Sequence, residues 1–263
     1  MSPPAVRSWL WEGGAWIPSA ALPVTDRSVR YGMAIFETVG IRRGTPLFLP
    51  RHLSLLGNGV RQFFGTAAVP AFRGIPPLDP SDTGVLRLYV TAGDGSPGAP
   101  VTAPRNFALF EAVSTSRMPK TQTARMHPEP AAPFGHGRKT ANYWMNCAAQ
   151  SAAQSAGFDH ALLADHDGFV LSAAFGNLFF VLGDKLCTPS LSLPVRPGVI
   201  RSWVVSRKDV KEVKWPADRL GEVSELFLTN SRLGIMPLRF GTIAPGPVGR
   251  ALREAGRREK ITP

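Results

Sequence analysis

The chain is expected to fold as a mixed α/β (α+β) protein built in two parts, and three observations carry that expectation. β-prone runs bounded by Gly, Pro, Asn and Asp recur along the whole sequence. Two stretches, Pro50–Phe64 and Asn142–Gly157, place apolar residues at helical spacing. Between the halves, Ser114–Lys120 is polar and without period. A chain of 263 residues has room for one large domain or two modest ones. The boundaries read as a first domain over 1–113, a linker over 114–125 and a second domain over 126–263.

In order, Ser8–Ile17 reads as a hairpin, two apolar runs around Gly13-Gly14. Pro23–Arg27 is a loop. Ala34–Ile41 alternates, turns at Arg43-Gly44 and returns as Thr45–Leu49. A helix opens at Pro50 with Leu53, Leu56, Val60 and Phe63/Phe64 on its apolar side, and Gly65 closes it. Residues 66–82 are proline-rich, with room for one more helix. Val85–Ala92 and Asn106–Val113 complete the first part as strands. Thr121–His127 opens the second. Ala161–Ala164, Phe169–Ala174 and Asn177–Leu182 follow as strands, with Asp165–Gly168 a hairpin turn in which Asp-Gly tolerates positive φ. Leu186–Pro189 leads into a Leu/Pro-rich loop. A helical run spans Pro197–Val205, and Glu225–Leu228 and Leu233–Leu238 are the last β segments.

The chemistry concentrates at Gly137-Arg138-Lys139-Thr140-Ala141-Asn142. From Asn142 to Gly157, Trp144, Ala148, Ala152 and Ala156 form one row, with Met145, Ala149 and Ala153 beside it. A stripe this small lets a helix approach a sheet closely. Thr140 or Asn142 is the expected cap, and Gly157 the stop. Lys139 then lies just before a helix N-terminus. That terminus and burial each disfavour an added positive charge, and an uncharged amine is what carbonyl chemistry needs. An ordinary solvated lysine is the competing reading.

Composition narrows the partners. Hydrophobic residues make 44% and charged residues 19%, a globular balance. No apolar run is long enough to span a bilayer, and Met1–Pro4 lacks the basic-then-apolar pattern of a secretory leader. Cys147 and Cys187 are far apart, so they suggest neither a disulfide framework nor metal spacing, and the cytoplasm is the expected setting. Net charge is +11, with only Arg250–Lys260 dense in basic residues. Proteome bias ranks first as its cause, an anionic small ligand second and nucleic acid third, because no aromatic-interleaved basic motif is present.

The order of motifs resembles the class IV aminotransferases, the pyridoxal-phosphate (PLP) proteins that include branched-chain aminotransferases, D-amino-acid aminotransferases and aminodeoxychorismate lyases. The landmarks are Asp26-Arg27, Tyr31-Gly32, Phe36-Glu37-Thr38, His52-Leu53, Lys139, Asp167-Gly168, Asn177-Leu178-Phe179, Thr188-Pro189, Gly198–Arg201 and Glu225–Ser231. The ending Leu228–Ser231 with Gly234–Pro237 is most similar to the lyase branch. The resemblance implies a two-domain fold-type IV architecture, similar to D-amino-acid aminotransferase, with the site between the domains. It also implies a homodimer, PLP as cofactor and a small anionic amino-acid-type substrate, with neither nucleic acid nor membrane as partner. Lys139 takes the Schiff-base position. Gly198, Val199 and Ile200 take the phosphate-binding helix start, Thr229 and Asn230 the second phosphate-side loop, and Tyr31 an aromatic position near the cofactor.

Three departures stand out. His52-Leu53-Ser54-Leu55 lacks the family's phosphate-clamping arginine, which would fall at Leu55. One charge-assisted contact of this kind is worth about 1.5–3 kcal/mol. Arg51 and Arg61 are the nearest replacements, although Arg51 points elsewhere on a helix. Ser172 stands where the family has a glutamate against the pyridine nitrogen, which makes the ring a weaker electron sink and favours elimination over transamination. Ala92, Gly93 and Asp94 occupy a loop that usually carries a substrate-binding arginine, and Met33 replaces a common aspartate. Two accounts follow: a PLP enzyme of lyase-like chemistry, in which Lys139 is the catalytic residue, or a PLP-free member of the fold whose interdomain cleft binds another ligand or partner.

Overall fold

The computed structural model describes residues 6–19, 21–66, 74–113, 119–131 and 137–261. Most of the polar stretch Ser114–Lys120, and residues 67–73 of the proline-rich stretch with its expected helix, lie outside the described residues. The chain falls into two compact units, Met1–Ser116 with Arg138–Asn142, and Arg117–Gly137 with Tyr143–Pro263. Each contains both helix and sheet, as the fold class requires.

The first unit holds β1 (Val6–Glu12), β2 (Ala15–Pro18), α1 (Arg27–Tyr31), β3 (Ala34–Arg42), β4 (Thr45–Pro46), α2 (Leu49–Phe64), β5 (Gly84–Thr91) and β6 (Arg105–Ala112). Its strands form one antiparallel sheet in the order β2-β1-β6-β5-β3-β4. Strand alternation turns Ile35, Val39, Ile41, Leu86, Leu88, Val90, Ala108 and Phe110 to one face, where they pack with Leu56 and Val60 of α2. Gly59 permits the close approach, since a Cβ there would sit 2.7 Å from Ile35 Cγ2. The expected return strand Thr45–Leu49 shrinks to two residues. Phe48 turns the chain in a left-handed conformation (φ 53), and Leu49-Pro50 already opens α2. Helix α1 replaces part of the expected Pro23–Arg27 loop: Asp26 caps it by accepting from the Ser28 amide at 2.8 Å, and Gly32 closes it at φ 68.

The second unit holds β7 (Gln122–Met126), α3 (Trp144–Ser155), β8 (His160–Ala164), β9 (Val170–Ala173), β10 (Asn177–Leu182), β11 (Lys185–Pro189), α4 (Val199–Val205), β12 (Val210–Val213), β13 (Glu225–Asn230), β14 (Gly234–Phe240) and α5 (Pro247–Arg258). The eight strands run β12-β11-β10-β13-β14-β7-β8-β9. In a flat sheet of this order β9 and β10 would lie about 24 Å apart, yet the bend Ala174–Gly176 joining them reaches only about 14 Å. The sheet therefore curls, around a core that includes Leu162, Leu178, Phe180, Leu226, Leu228 and Met236. Strand β7 starts inside the stretch read as a linker.

Two sequence expectations change here. Helix α3 starts at Trp144 behind Tyr143, with no side-chain cap, so neither Thr140 nor Asn142 caps it. Its buried row is Ala149 and Ala153, packed on Ala161 and Leu163, while Trp144 is 83% exposed. The basic tail forms α5, which the sequence reading left without structure. The buried carboxylate of Glu225 receives the Val248 amide at 3.1 Å and the Gly249 amide, so a strand side chain caps this helix.

Candidate active site

The predicted residues divide between the two units. On the first, Lys139 lies in a short extended segment laid along β3. The Phe36 amide donates to the Lys139 carbonyl at 2.9 Å, the Ala141 amide to the Ala34 carbonyl at 2.8 Å, and Thr140 bridges Ile35. This non-local pairing is why Arg138–Asn142 belongs with the first unit, although the sequence reading put it in the second domain. The Lys139 side chain is half-buried, and its Nζ sits 4.4 Å from the centre of the Phe36 ring. Asn142 Nδ2 donates to the Gly32 carbonyl at 3.4 Å, and Gly32 is φ-positive with no room for a Cβ beside Asn142. Tyr31 ends α1, 40% exposed, beneath the Arg30 guanidinium at 4.8 Å.

The Asp26-Arg27 motif proves to be a loop clamp. Buried Arg27 donates to the carbonyls of Gly93 at 3.2 Å, Ser96 at 3.3 Å, Ala99 at 2.8 Å and Ala92. Asp26 accepts from Thr91 at 2.8 Å and Arg105 at 3.0 Å. Asp94, in the loop without the expected arginine, is bound to Arg105 and Thr25. The Arg105 hydrogen bond, with that of Thr25, holds the Asp94 carboxyl below its usual range. Glu37 and His52 anchor α2 to β3: His52 Nδ1 lies 2.8 Å from Glu37 Oε2, both side chains buried. Leu55, one turn on, is half-buried and outside the core cluster, whereas Leu53 packs against it. Arg51 is exposed, and Arg61 is engaged with Asn58 at 2.6 Å.

On the second unit the predicted residues lie on β10, β13 and the start of α4. Asn177 and Thr229 are register partners. Asn177 Nδ2 donates to the Arg196 carbonyl at 2.7 Å, tying down the loop into α4. Gly198 is the N-cap of α4, and a Cβ there would collide with Asn177 Oδ1. Val199 and Ile200 follow, side chains buried, so only their backbone is available to a ligand. The Thr229 hydroxyl is buried without a hydrogen-bond partner. Asn230 is engaged in its own turn, donating to the Phe175 carbonyl at 2.8 Å and accepting from Arg232 and Leu233. Ser172 is half-buried on β9 opposite Leu163. The orphaned hydroxyl, the glycine that a side chain would crowd and the start of a helix fit a phosphate group.

One feature escaped the sequence reading. Phe36, Tyr89 and Phe107 are direct partners across β3, β5 and β6, and their rings stack at 4.9 Å and 13°, then 4.3 Å and 6°. Each aromatic was visible on its own strand, but the register that aligns them was not.

A model of the amino-transferase class IV family matches residues 34–239. The chain is 33% identical over 106 residues to the "Probable branched-chain-amino-acid aminotransferase" of Thermotoga maritima, a match spanning 35% of this chain and only 38% of that protein. It is 23% identical over 238 residues to the aminodeoxychorismate lyase of Bacillus subtilis, covering 83% of this chain and 80% of the relative. Among solved structures, an aminotransferase from Brucella abortus bound to PLP superposes with a TM-score of 0.80 at 20% identity, covering 96% of this chain and 99% of the other. These structures share its fold.

Proposed function

Because the chain belongs to the amino-transferase class IV family, we propose that it is a PLP-dependent enzyme of that class, a lyase resembling aminodeoxychorismate lyase or a related aminotransferase. The observation that carries this reading is the buried, unpartnered hydroxyl of Thr229, the register partner of the Asn177 that packs against Gly198. A protein folding for its own stability has reason to pair or discard such a group. A phosphate oxygen would pair it, helped by the amides at the start of α4. PLP, when bound, supplies an electron-withdrawing ring that eases loss of a proton from an amino acid's α-carbon.

In this reading Lys139 would hold the cofactor through its amine and, when that amine is free, would move the proton at the substrate's α-carbon as base and acid. Ser172 offers a hydroxyl where the family pattern has a carboxylate, which favours expulsion of a β-leaving group, with pyruvate as product, over amino transfer. By the family pattern Tyr31 would flank the ring, and Asn230, held in its own turn, would stand on the phosphate side. The same reading carries a small amino-acid substrate and a second copy of the chain as partner. It also carries a cytoplasmic setting, in keeping with the free thiols of Cys147 and Cys187. Among the described residues no helix is long and apolar enough to cross a membrane. The PLP-free account gains no support from solved structures of the same fold, two of them bound to PLP and one to pyridoxamine 5'-phosphate.

The test is a visible absorbance spectrum after incubation with PLP and removal of the excess. A retained band in the native protein, absent in Lys139→Ala, is the expected result. A colourless native protein overturns the proposal.

A further inference from the structure

We propose that Tyr89 and Phe107 are positioning residues for Lys139, acting through Phe36. The proposal rests on the reading of Lys139 as the residue that captures the cofactor. Lys139 is referenced to Phe36 twice. Its carbonyl accepts the Phe36 amide at 2.9 Å, and its amine lies 4.4 Å from the centre of the Phe36 ring. The backbone contact sets where the side chain starts, and the ring sets where it ends. An ammonium or a polarised amine N–H is attracted to the face of an aromatic ring, not to its edge. The ring plane therefore bears on where the nitrogen rests.

That plane is not left to Phe36 alone. Phe36 pairs with Tyr89, and Tyr89 with Phe107, on three adjacent antiparallel strands. The interplanar angles are 13° and 6°, so the three rings are nearly parallel. Phe36 is 7% exposed and the other two are half-buried. These rings project from the sheet face opposite the one packed by α2, whose residues are Ile35, Leu86, Leu88, Ala108 and Phe110. The stack is therefore not part of the main core of the unit, and its loss leaves that core intact. A leucine at Tyr89 removes the ring stacked on Phe36, and with it one restraint on the plane against which the amine rests. In capture, the Lys139 nitrogen bonds to the aldehyde carbon and one water leaves. The rate depends on the nitrogen being held along one line of approach. The contact with the ring is weak enough to be given up once that bond forms.

The experiment measures capture of PLP by the full-length protein, following the visible band in time and trapping the product with borohydride. Tyr89→Phe keeps the ring and is expected to lie much nearer the native rate than Tyr89→Leu does. Tyr89→Leu is expected to slow capture about three- to tenfold, and Phe107→Leu, one ring further out, by less. In parallel, brief labelling with a small uncharged amine-reactive reagent is read by mass spectrometry as the yield at Lys139 relative to Lys185 and Lys211 of the same molecules. Lys185 and Lys211 are exposed and serve as internal standards; a denaturant melt of each variant reads general stability, and the proposal expects a changed yield at Lys139 with the melt unchanged. Equal rates for Tyr89→Leu and the native protein, or a Tyr89→Phe as slow as Tyr89→Leu, overturn it. Should Tyr89→Leu not fold, Phe107→Leu decides by the same readings. If the native protein captures no PLP, the functional proposal fails, and the labelling ratio still tests whether the stack places the amine.

Discussion

Asn177 and Thr229 face each other across β10 and β13, and only one of the two side chains is satisfied within the second unit. Asn177 donates to the Arg196 carbonyl at 2.7 Å, while the Thr229 hydroxyl, 1% exposed, has no partner. An unpaired buried hydroxyl costs about 1–3 kcal/mol. A ligand oxygen would offset that cost, and the phosphate assignment depends on it.

Thr229→Val should therefore separate stability from binding. The free protein is expected to melt at the same temperature or higher, since valine fills the space without an unpaired polar group. Affinity for PLP is expected to fall by about tenfold. Thermal melts with and without PLP check both halves, and a variant destabilised alone but unchanged in affinity would mark Thr229 as merely structural.

Glu37→Ala removes one partner of a buried pair at the join of β3 and α2. The expected loss is about 1–3 kcal/mol, the cost of leaving a buried polar group unpaired, read from denaturant unfolding. A loss below about 1 kcal/mol would mean that water reaches and solvates the remaining histidine.

His160 predicts an acid sensitivity. Burial pushes its imidazole below the ordinary value of 6.5, and its Nε2 lies 2.8 Å from Gln122 Oε1 across β7 and β8. A depressed folded value means that the stabilisation is complete above the unfolded value and is lost as pH falls through the folded one. The native melting temperature should drop between pH 7 and pH 5. His160→Gln should start lower at pH 7 and lose less over the same interval, and parallel curves would contradict the assignment.

Leu55→Arg restores the cation missing from the His-x-x-Arg pattern at a position outside the core cluster. It is expected to tighten PLP binding by about tenfold or more, from a charge-assisted contact of about 1.5–3 kcal/mol, with little change in stability. An equilibrium titration measures it. Unchanged affinity would mean that another cation already serves the phosphate.

Local pattern revealed much of this fold and stopped where distant residues decide. The Gly13-Gly14 hairpin, β3, β5 and α2 were legible because period and turn chemistry agree. In α3 the two adjacent rows are both mostly alanine, so the segment alone does not say which is buried; Ala161 and Leu163 on β8 make the choice. The arginines of α5 hid a helix whose contact surface is Gly249, Leu252, Arg253 and Gly256 and whose cap is Glu225 on another strand. At the site, motif order singles out Lys139 and Gly198 as candidates. The pairing of Lys139 with β3, the three-ring stack and the unpaired Thr229 hydroxyl come from register, which no single segment encodes.

The central claim is that one amine of this chain bonds to the aldehyde of PLP. Native protein incubated with PLP, reduced with borohydride, digested and sequenced by tandem mass spectrometry tests it most directly. The account predicts a single stoichiometric phosphopyridoxyl modification on Lys139, suppressed by inorganic phosphate and diminished by Thr229→Val. Modification scattered over exposed lysines, or none at Lys139, would contradict it.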